Sequence, residues 1–242
     1  MINIDTNFNF QIETLDKNGK DRDSDKYSPT LQEYHRQLWS KQLPSGAVFN
    51  LTKISDNRLY HESQLGKFYL SSDWGVATFS NWQRTKTYMS DIDFRMVKDF
   101  DLLVITIGAR IIWPSNKING LPTINGARGM SYYVADRLDL TLECIRRYYN
   151  GETNPLNDTF KRYDDFFNLF VNFKGYTDFF LLQDYVNDSY NSVNIAQPFA
   201  NFETSPVPST KSEYLEYMKH AIKLVNARNI RIADHASGLR SK

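Results

Sequence analysis

Apolar residues change their spacing near residue 129, and that change constrains the fold more than any other feature of the chain. Beyond it, Leu138, Leu142, Ile145 and Tyr149 recur every three or four residues, with Asp139, Glu143 and Arg147 as an opposite charged row. Such a stripe predicts an amphipathic helix over 129–149 that buries Leu138, Leu142 and Ile145 and exposes Glu143 and Arg147. A second helix is predicted around Phe160, Tyr163, Phe166, Phe167 and Phe170, and a third after Gly175 with Phe179, Phe180, Leu182 and Val186. The last opens at Pro208, where Thr210 and Glu213 have capping-box spacing, and carries Leu215, Met218, Ile222 and Val225. The basic stretch with Arg228, Arg231, Arg240 and Lys242 reads as a solvated tail, with a phosphate-contacting arm as the other reading.

Before residue 129 the pattern is mixed. Ile2, Ile4, Phe8, Phe10 and Ile12 suggest an edge strand, and the charged run 16–27 a flexible loop. Ser28 and Pro29 form an N-cap and first turn for a helix carrying Leu31, Tyr34, Leu38 and Trp39. Strands are expected around Val48–Ile54, Lys67–Leu70 and Leu102–Trp113, a helix over Thr78–Met89, and a tight turn at Asn119-Gly120. Strands do not alternate regularly with helices, which argues against a doubly wound parallel sheet. The expectation is an α+β fold: a small mixed or antiparallel sheet from the N-terminal half, packed by a predominantly helical C-terminal half. One globular domain over 1–242 is expected, with a flexible loop near 16–27 and a frayed tail near 233–242.

Composition narrows the function classes. Lys and Arg number 29 against 28 Asp and Glu, so nucleic acid is a partner that net charge does not favour. Aromatic residues reach 14%, and their helical spacing after Phe160 assigns them to a core rather than to a stacking platform. The N-terminus lacks a secretory pattern and no apolar run reaches membrane-spanning length, which points to the cytoplasm and away from the membrane. Cys144 stands alone, and His220 and His235 are too far apart for short-range ligand spacing, so no metal site and no cofactor are expected.

Three constellations could carry chemistry. The first is Asn125, Gly126, Arg128 and Gly129, placed before the expected helix. Glycines there would let a ligand approach, free N–H groups would face it, and Arg128 would add a fixed charge. These are the parts of a site for a phosphate, a nucleotide or another small anion, with Arg110 as a further cation. The spacing is neither that of a P-loop nor of a dinucleotide fingerprint. The alternative is a structural turn whose Arg128 is buried against a carboxylate such as Asp136. The second constellation is Asp136, Asp139 and Glu143, acids able to hold a divalent metal or do acid–base work, or simply to pair with Arg146 and Arg147. The third is His61 with Ser71, Ser72 and Asp73, without a Gly-x-Ser-x-Gly elbow. The leading expectation is therefore a binding module for an anionic ligand. A phosphoester- or nucleotide-directed hydrolase, with a divalent metal, and a structural or protein-interaction role are the alternatives. The hydrolase requires Arg128, Asp136 and His61 to converge in one pocket.

The blocks Ser28–His35, Leu38–Gly46, Phe68–Asp73, Thr123–Gly129, Asp136–Tyr149 and Gly175–Asp184 resemble those of an uncharacterised bacterial protein family. The resemblance runs from about Asp5 to Arg231. It implies a bacterial or phage-related cytoplasmic protein and one domain, and it brings no established activity, cofactor or catalytic residue.

Overall fold

The computed structural model describes residues 3–53, 59–80 and 82–240. Its first elements are two single-turn helices, α1 (Gln11–Thr14) and α2 (Ser24–Tyr27), and then α3 (Pro29–Trp39). Ser28 caps α3 as its sequence predicts: its hydroxyl accepts from Leu31 N at 3.1 Å and itself donates to Glu13 at 2.5 Å. Leu31, Tyr34, Leu38 and Trp39 form the buried face. The alternating segment expected as a strand contains α1 instead, and its apolar residues divide. Phe10 packs with Tyr34, while Ile12 stays exposed. Ile2 lies outside the described residues.

A short hairpin, β1 (Lys41–Gln42) with β2 (Val48–Phe49), precedes a four-stranded antiparallel sheet. Its strands are β3 (Thr52–Lys53), β4 (Leu59–Ser63), β5 (Gly66–Trp74) and β6 (Arg110–Pro114), in that order. Ile54 lies outside the described residues. β5 is the long central strand: its first half pairs with β4 and its second half with β6, through Trp74↔Arg110 and Ser72↔Ile112. Phe68 and Leu70 are buried, and every residue of β6 is buried.

Two segments between β5 and β6 depart from expectation. The helix predicted over Thr78–Met89 shrinks to one turn, α4 (Lys86–Met89); Asn81 lies outside the described residues. The run Leu102–Trp113, expected to be one strand, is divided. Its start belongs to helix α5 (Phe94–Val104), capped by Asp93 accepting from Arg95 N at 2.8 Å, and a 3₁₀ turn at Ile107–Ala109 leads into β6. The Asn119-Gly120 turn forms, with φ of 53° and 73° and Leu121 N bonded to Ile118 O at 3.1 Å, but no strands flank it.

The second half is helical, giving the expected α+β fold. It comprises α6 (Ile124–Met130), α7 (Leu138–Tyr149), α8 (Asn157–Arg162), α9 (Asp164–Asn168), α10 (Phe173–Phe179) and α11 (Lys211–Arg240). The helix predicted over 129–149 begins only at Leu138, because Ala135 and Asp136 take left-handed φ of 48° and 60°. The aromatic helix around Phe160 breaks at Tyr163 into α8 and α9. Phe160, Phe166, Phe167, Phe170, Tyr176 and Phe180 interlock through ring centroids 4.9–5.9 Å apart, and all are buried. Thr210 accepts from Glu213 N at 3.2 Å, and Glu213 reaches back to Ser209 N, so α11 is capped at Thr210 and starts at Lys211, three residues after the expected opening at Pro208. The tail expected to fray from 233 continues α11 to Arg240. No helix among the described residues is long and apolar enough to cross a membrane.

Candidate functional site

Arg128 leaves α6 and runs into the core, where it is completely buried. Its Nη1 lies 2.5 Å from Asp73 and 3.2 Å from Asp136, its Nε donates to Thr141 Oγ1 at 2.8 Å and its Nη2 to Asp136 O at 2.9 Å. The guanidinium also lies 4.6 Å from the Trp113 ring centre. Burial raises the Asp136 carboxyl against the opposing pull of Arg128. The segment expected to precede a helix is a helix itself, capped by Thr123 accepting from Gly126 N at 3.3 Å, so Gly126 and Gly129 are helical. Asn125 turns its amide to Ser71 Oγ at 3.3 Å. The anion expected at Asn125–Gly129 therefore finds no open donor on Arg128. Arg128 is instead a clamp that ties β5 to the left-handed turn before α7.

The acids of the second constellation separate. Asp139 pairs with Arg137 at 2.6 Å and accepts from Ala196 N at 3.0 Å, while Arg137 also donates to the Ala196, Pro198 and Pro206 carbonyls. This buried cluster fastens the segment before α11 against α7. Glu143, expected to be exposed, is buried, with Arg146 at 2.8 Å and Arg147 at 2.7 Å. His61 is buried between Phe49, 4.2 Å away, and Phe68, and its ring nitrogens meet Asn50 and Ser63. It pairs with Phe68, five residues before Asp73 on β5, which separates them by about 16 Å of strand. Thus Arg128, Asp73 and Asp136 converge and His61 does not. Among the described residues, no three His, Cys, Asp or Glu side chains gather to hold a metal. The C-terminal arginines are also structural: Arg228 is buried, donating to the carbonyls of Gly108, Arg110 and Phe180, and Arg231 pairs with Asp184 at 2.8 Å. Nothing is described of the Arg240 side chain or of Lys242.

The other face of β5 holds a different arrangement. Arg110, the first residue of β6, is 2% exposed, and its guanidinium stacks 3.6 Å from the centre of the Trp74 ring. A guanidinium carries five N–H donors. Among the described residues none accepts a hydrogen bond from Arg110 and none forms an ion pair with it; Nε is buried without a partner. Burial lowers its pKa to about 10, so it stays cationic at neutral pH. It lines a polar cleft of about 180 Å³ between the sheet and the N-terminal loop, with Thr14, Asp21, Asp23, Asp25, Ser72 and Trp74 around it.

The run 16–27, expected to be a flexible loop, is tied to this site. Asp25 accepts from Ser72 N at 2.7 Å and from Ser72 Oγ at 2.5 Å, and its carbonyl accepts from Gln32. Burial pushes its carboxyl up to about 6 despite the Ser72 hydrogen bonds. Asp21 accepts from Thr14 Oγ1 at 2.5 Å, and Asp23 caps α2 by accepting from Asp25 N at 3.0 Å. The backbone of the floor is fixed from behind, since Arg228 donates to the Arg110 carbonyl at 2.7 Å. Of the residues singled out from the sequence as candidates for chemistry, Ser72, Asp73 and Arg110 border this cleft. Asp25 and Trp74 were not anticipated: nothing in a charged run marks which acid will be buried. A wider groove of about 480 Å³ passes Lys41, Asn172, Lys174 and Asp178, where Lys174 and Asp178 pair with each other.

A family model matches residues 4–232, which takes in both walls of the cleft. The chain belongs to the family of unknown function DUF6994. Neither a curated protein nor a solved structure matches it. Membership in DUF6994 thus brings no activity with it, and a function for this member has to be argued from its own side chains.

Proposed function

We propose that the chain is a binding module for a small ligand bearing an oxyanion, with Arg110 as the group that holds it. The observation that carries this reading is the buried, cationic Arg110 guanidinium with no acceptor among the described residues. Buried polar groups are hydrogen-bonded in the great majority of cases, and an unsatisfied charged donor is more costly than a neutral one. A carboxylate or phosphate oxygen entering the cleft would supply the acceptor, and a guanidinium binds such groups through two parallel N–H bonds. The cavity, at about 180 Å³, is below the usual range for drug-sized ligands of about 300–1,000 Å³, so a whole nucleotide or nucleic acid strand is disfavoured. The expectation of a bacterial or phage-related cytoplasmic protein is retained. Its support is the resemblance of the sequence blocks, together with a lone cysteine, Cys144, that is buried and kept protonated by burial.

The test is a thermal-shift comparison of acetate, inorganic phosphate and adenosine monophosphate on the wild type and on Arg110→Met. A ligand that binds only the folded state raises Tm. Acetate or phosphate should raise Tm in the wild type and not in Arg110→Met, while adenosine monophosphate has no effect beyond that of phosphate. Equal shifts in both proteins, or none in the wild type, would reject Arg110 as the anchor.

A further inference from the structure

The Arg110 cleft has one positive group on its floor and several carboxylates around it. Asp21, Asp23, Asp25 and Asp73 all act electrostatically on Arg110. The charge of Asp73 is answered by Arg128, 2.5 Å away on the opposite face of the strand. Asp21, Asp23 and Asp25 have no such partner: among the described residues none of them forms an ion pair. Arg22 also lines the cleft, but its Nε donates to the Thr14 carbonyl at 2.9 Å and its guanidinium lies 4.0 Å from the centre of the Tyr27 ring. The cleft therefore combines unused donors at its base with a rim on which three aspartates outnumber the single cation, Arg22.

No single-charge ligand suits both. An anion seated on Arg110 would lie among three carboxylates, which weaken its hold, and phosphate with its higher charge would be held less tightly than a carboxylate. A cation drawn to the carboxylates would be repelled by Arg110 and would leave its N–H groups without acceptors. We infer that the ligand is a small zwitterion, its carboxylate on Arg110 and its ammonium group toward Asp21 and Asp23, as a free amino acid would present them. This rests on the reading of Arg110 as the anchor. The cavity of about 180 Å³ suits a short carbon skeleton between the two charges. Asp21 and Asp23 are exposed at the mouth, where an ammonium group keeps part of its hydration while it pairs. Asp25, held by both Ser72 donors, fixes the loop that carries the other two acids.

Isothermal titration of acetate, methylammonium, glycine and β-alanine at pH 7.5 tests this, on the wild type and on the double variant Asp21→Asn/Asp23→Asn. Asparagine retains the oxygen that caps α2 and the one that accepts from Thr14, so the loop geometry survives the change. Two partly exposed ion pairs together should make glycine or β-alanine bind about tenfold more tightly than acetate. Methylammonium should show no binding. In the double variant that preference should vanish, with acetate bound more tightly than by the wild type. Acetate binding with no preference for the amino acids would overturn the zwitterion and leave Arg110 as an anion anchor. No binding by any of the four would overturn both. A preference that survives in the double variant would overturn the assignment of the ammonium to Asp21 and Asp23. Unchanged circular dichroism and melting of the variant establish that it is folded.

Discussion

A side chain retained for binding at the expense of stability should be replaceable with a gain in stability, and Arg110→Met makes that test. Burial moves the Arg110 guanidinium from its ordinary 12.5 to about 10, because desolvation outweighs the attraction of the surrounding acids. At neutral pH the group is charged in both the folded and the unfolded chain. The full displacement then acts against folding, about 3 kcal/mol at most at 1.36 kcal/mol per pH unit. One loss offsets this on substitution. The guanidinium–Trp74 stack, 3.6 Å from the ring centre, is worth about 1 kcal/mol, part of which a methionine sulfur restores against the same ring. The net expectation is a variant more stable by about 1–2 kcal/mol, in line with the replacement of buried charges by apolar groups of similar size. For a chain of this length it corresponds to a rise in Tm of about 2–8 °C. Urea unfolding at pH 7, followed by tryptophan fluorescence, measures it. A destabilisation of about 1 kcal/mol or more would refute the reasoning, because it would mean that Arg110 is held by protein groups and is structural.

Arg128→Ala should destabilise by about 3–5 kcal/mol in equilibrium unfolding, since it leaves Asp73 and Asp136 facing each other without their cation; a change below about 1 kcal/mol would show that the clamp is not formed. Gly129→Ala should be neutral or stabilise by up to about 1 kcal/mol in the same assay, because a Cβ there meets nothing within 4 Å and the residue is helical. Loss of stability would restore the idea of a turn that requires glycine. Asp25 has a folded pKa raised from 3.8 to about 6, so its contribution is fully present below pH 4 and is lost as pH rises through 6, by at most about 3 kcal/mol. Stability measured between pH 4 and 7 should lose that slope in Asp25→Asn, and an unchanged slope would contradict the burial of this carboxyl. Lys41, pushed down to about 7 by burial and by Arg228, should be acylated near neutral pH well ahead of ordinary lysines in competitive labelling read by mass spectrometry; labelling at the ordinary rate would show that its contacts with the Trp39 and Phe179 rings hold the charged form.

Local chemistry was legible where the signal was local. Ser28-Pro29 and Thr210/Glu213 announce the starts of α3 and α11 because a cap needs only the residues beside it. Leu138, Leu142 and Ile145 mark the buried face of α7 for the same reason. The apolar run Leu102–Trp113 was ambiguous, since periodicity cannot separate a buried helix end from a buried strand over so few residues. Asp93, followed by Val97, Phe100 and Val104 at helical spacing, was the available sign that α5 precedes β6. Arg128 was recognised as the decisive side chain, but its burial depends on Asp73 lying on a neighbouring strand, 55 residues away. The cleft is legible only in part. An arginine at the head of a strand, with no polar neighbour on either side, stands out at position 110, whereas the pairing of Asp25 with Ser72 across 47 residues leaves no local mark.

The most direct test of the Arg110 anchor is nuclear magnetic resonance of the protein labelled with ¹⁵N-arginine, with the Arg110 Nε–Hε peak assigned by its absence in Arg110→Met. During titration with glycine, and separately with acetate, that peak should shift most among the arginine side chains and should saturate, while those of Arg128 and Arg228 stay in place. A saturable shift at other arginines with Arg110 unmoved, or no shift at Arg110 with either compound, would contradict the account.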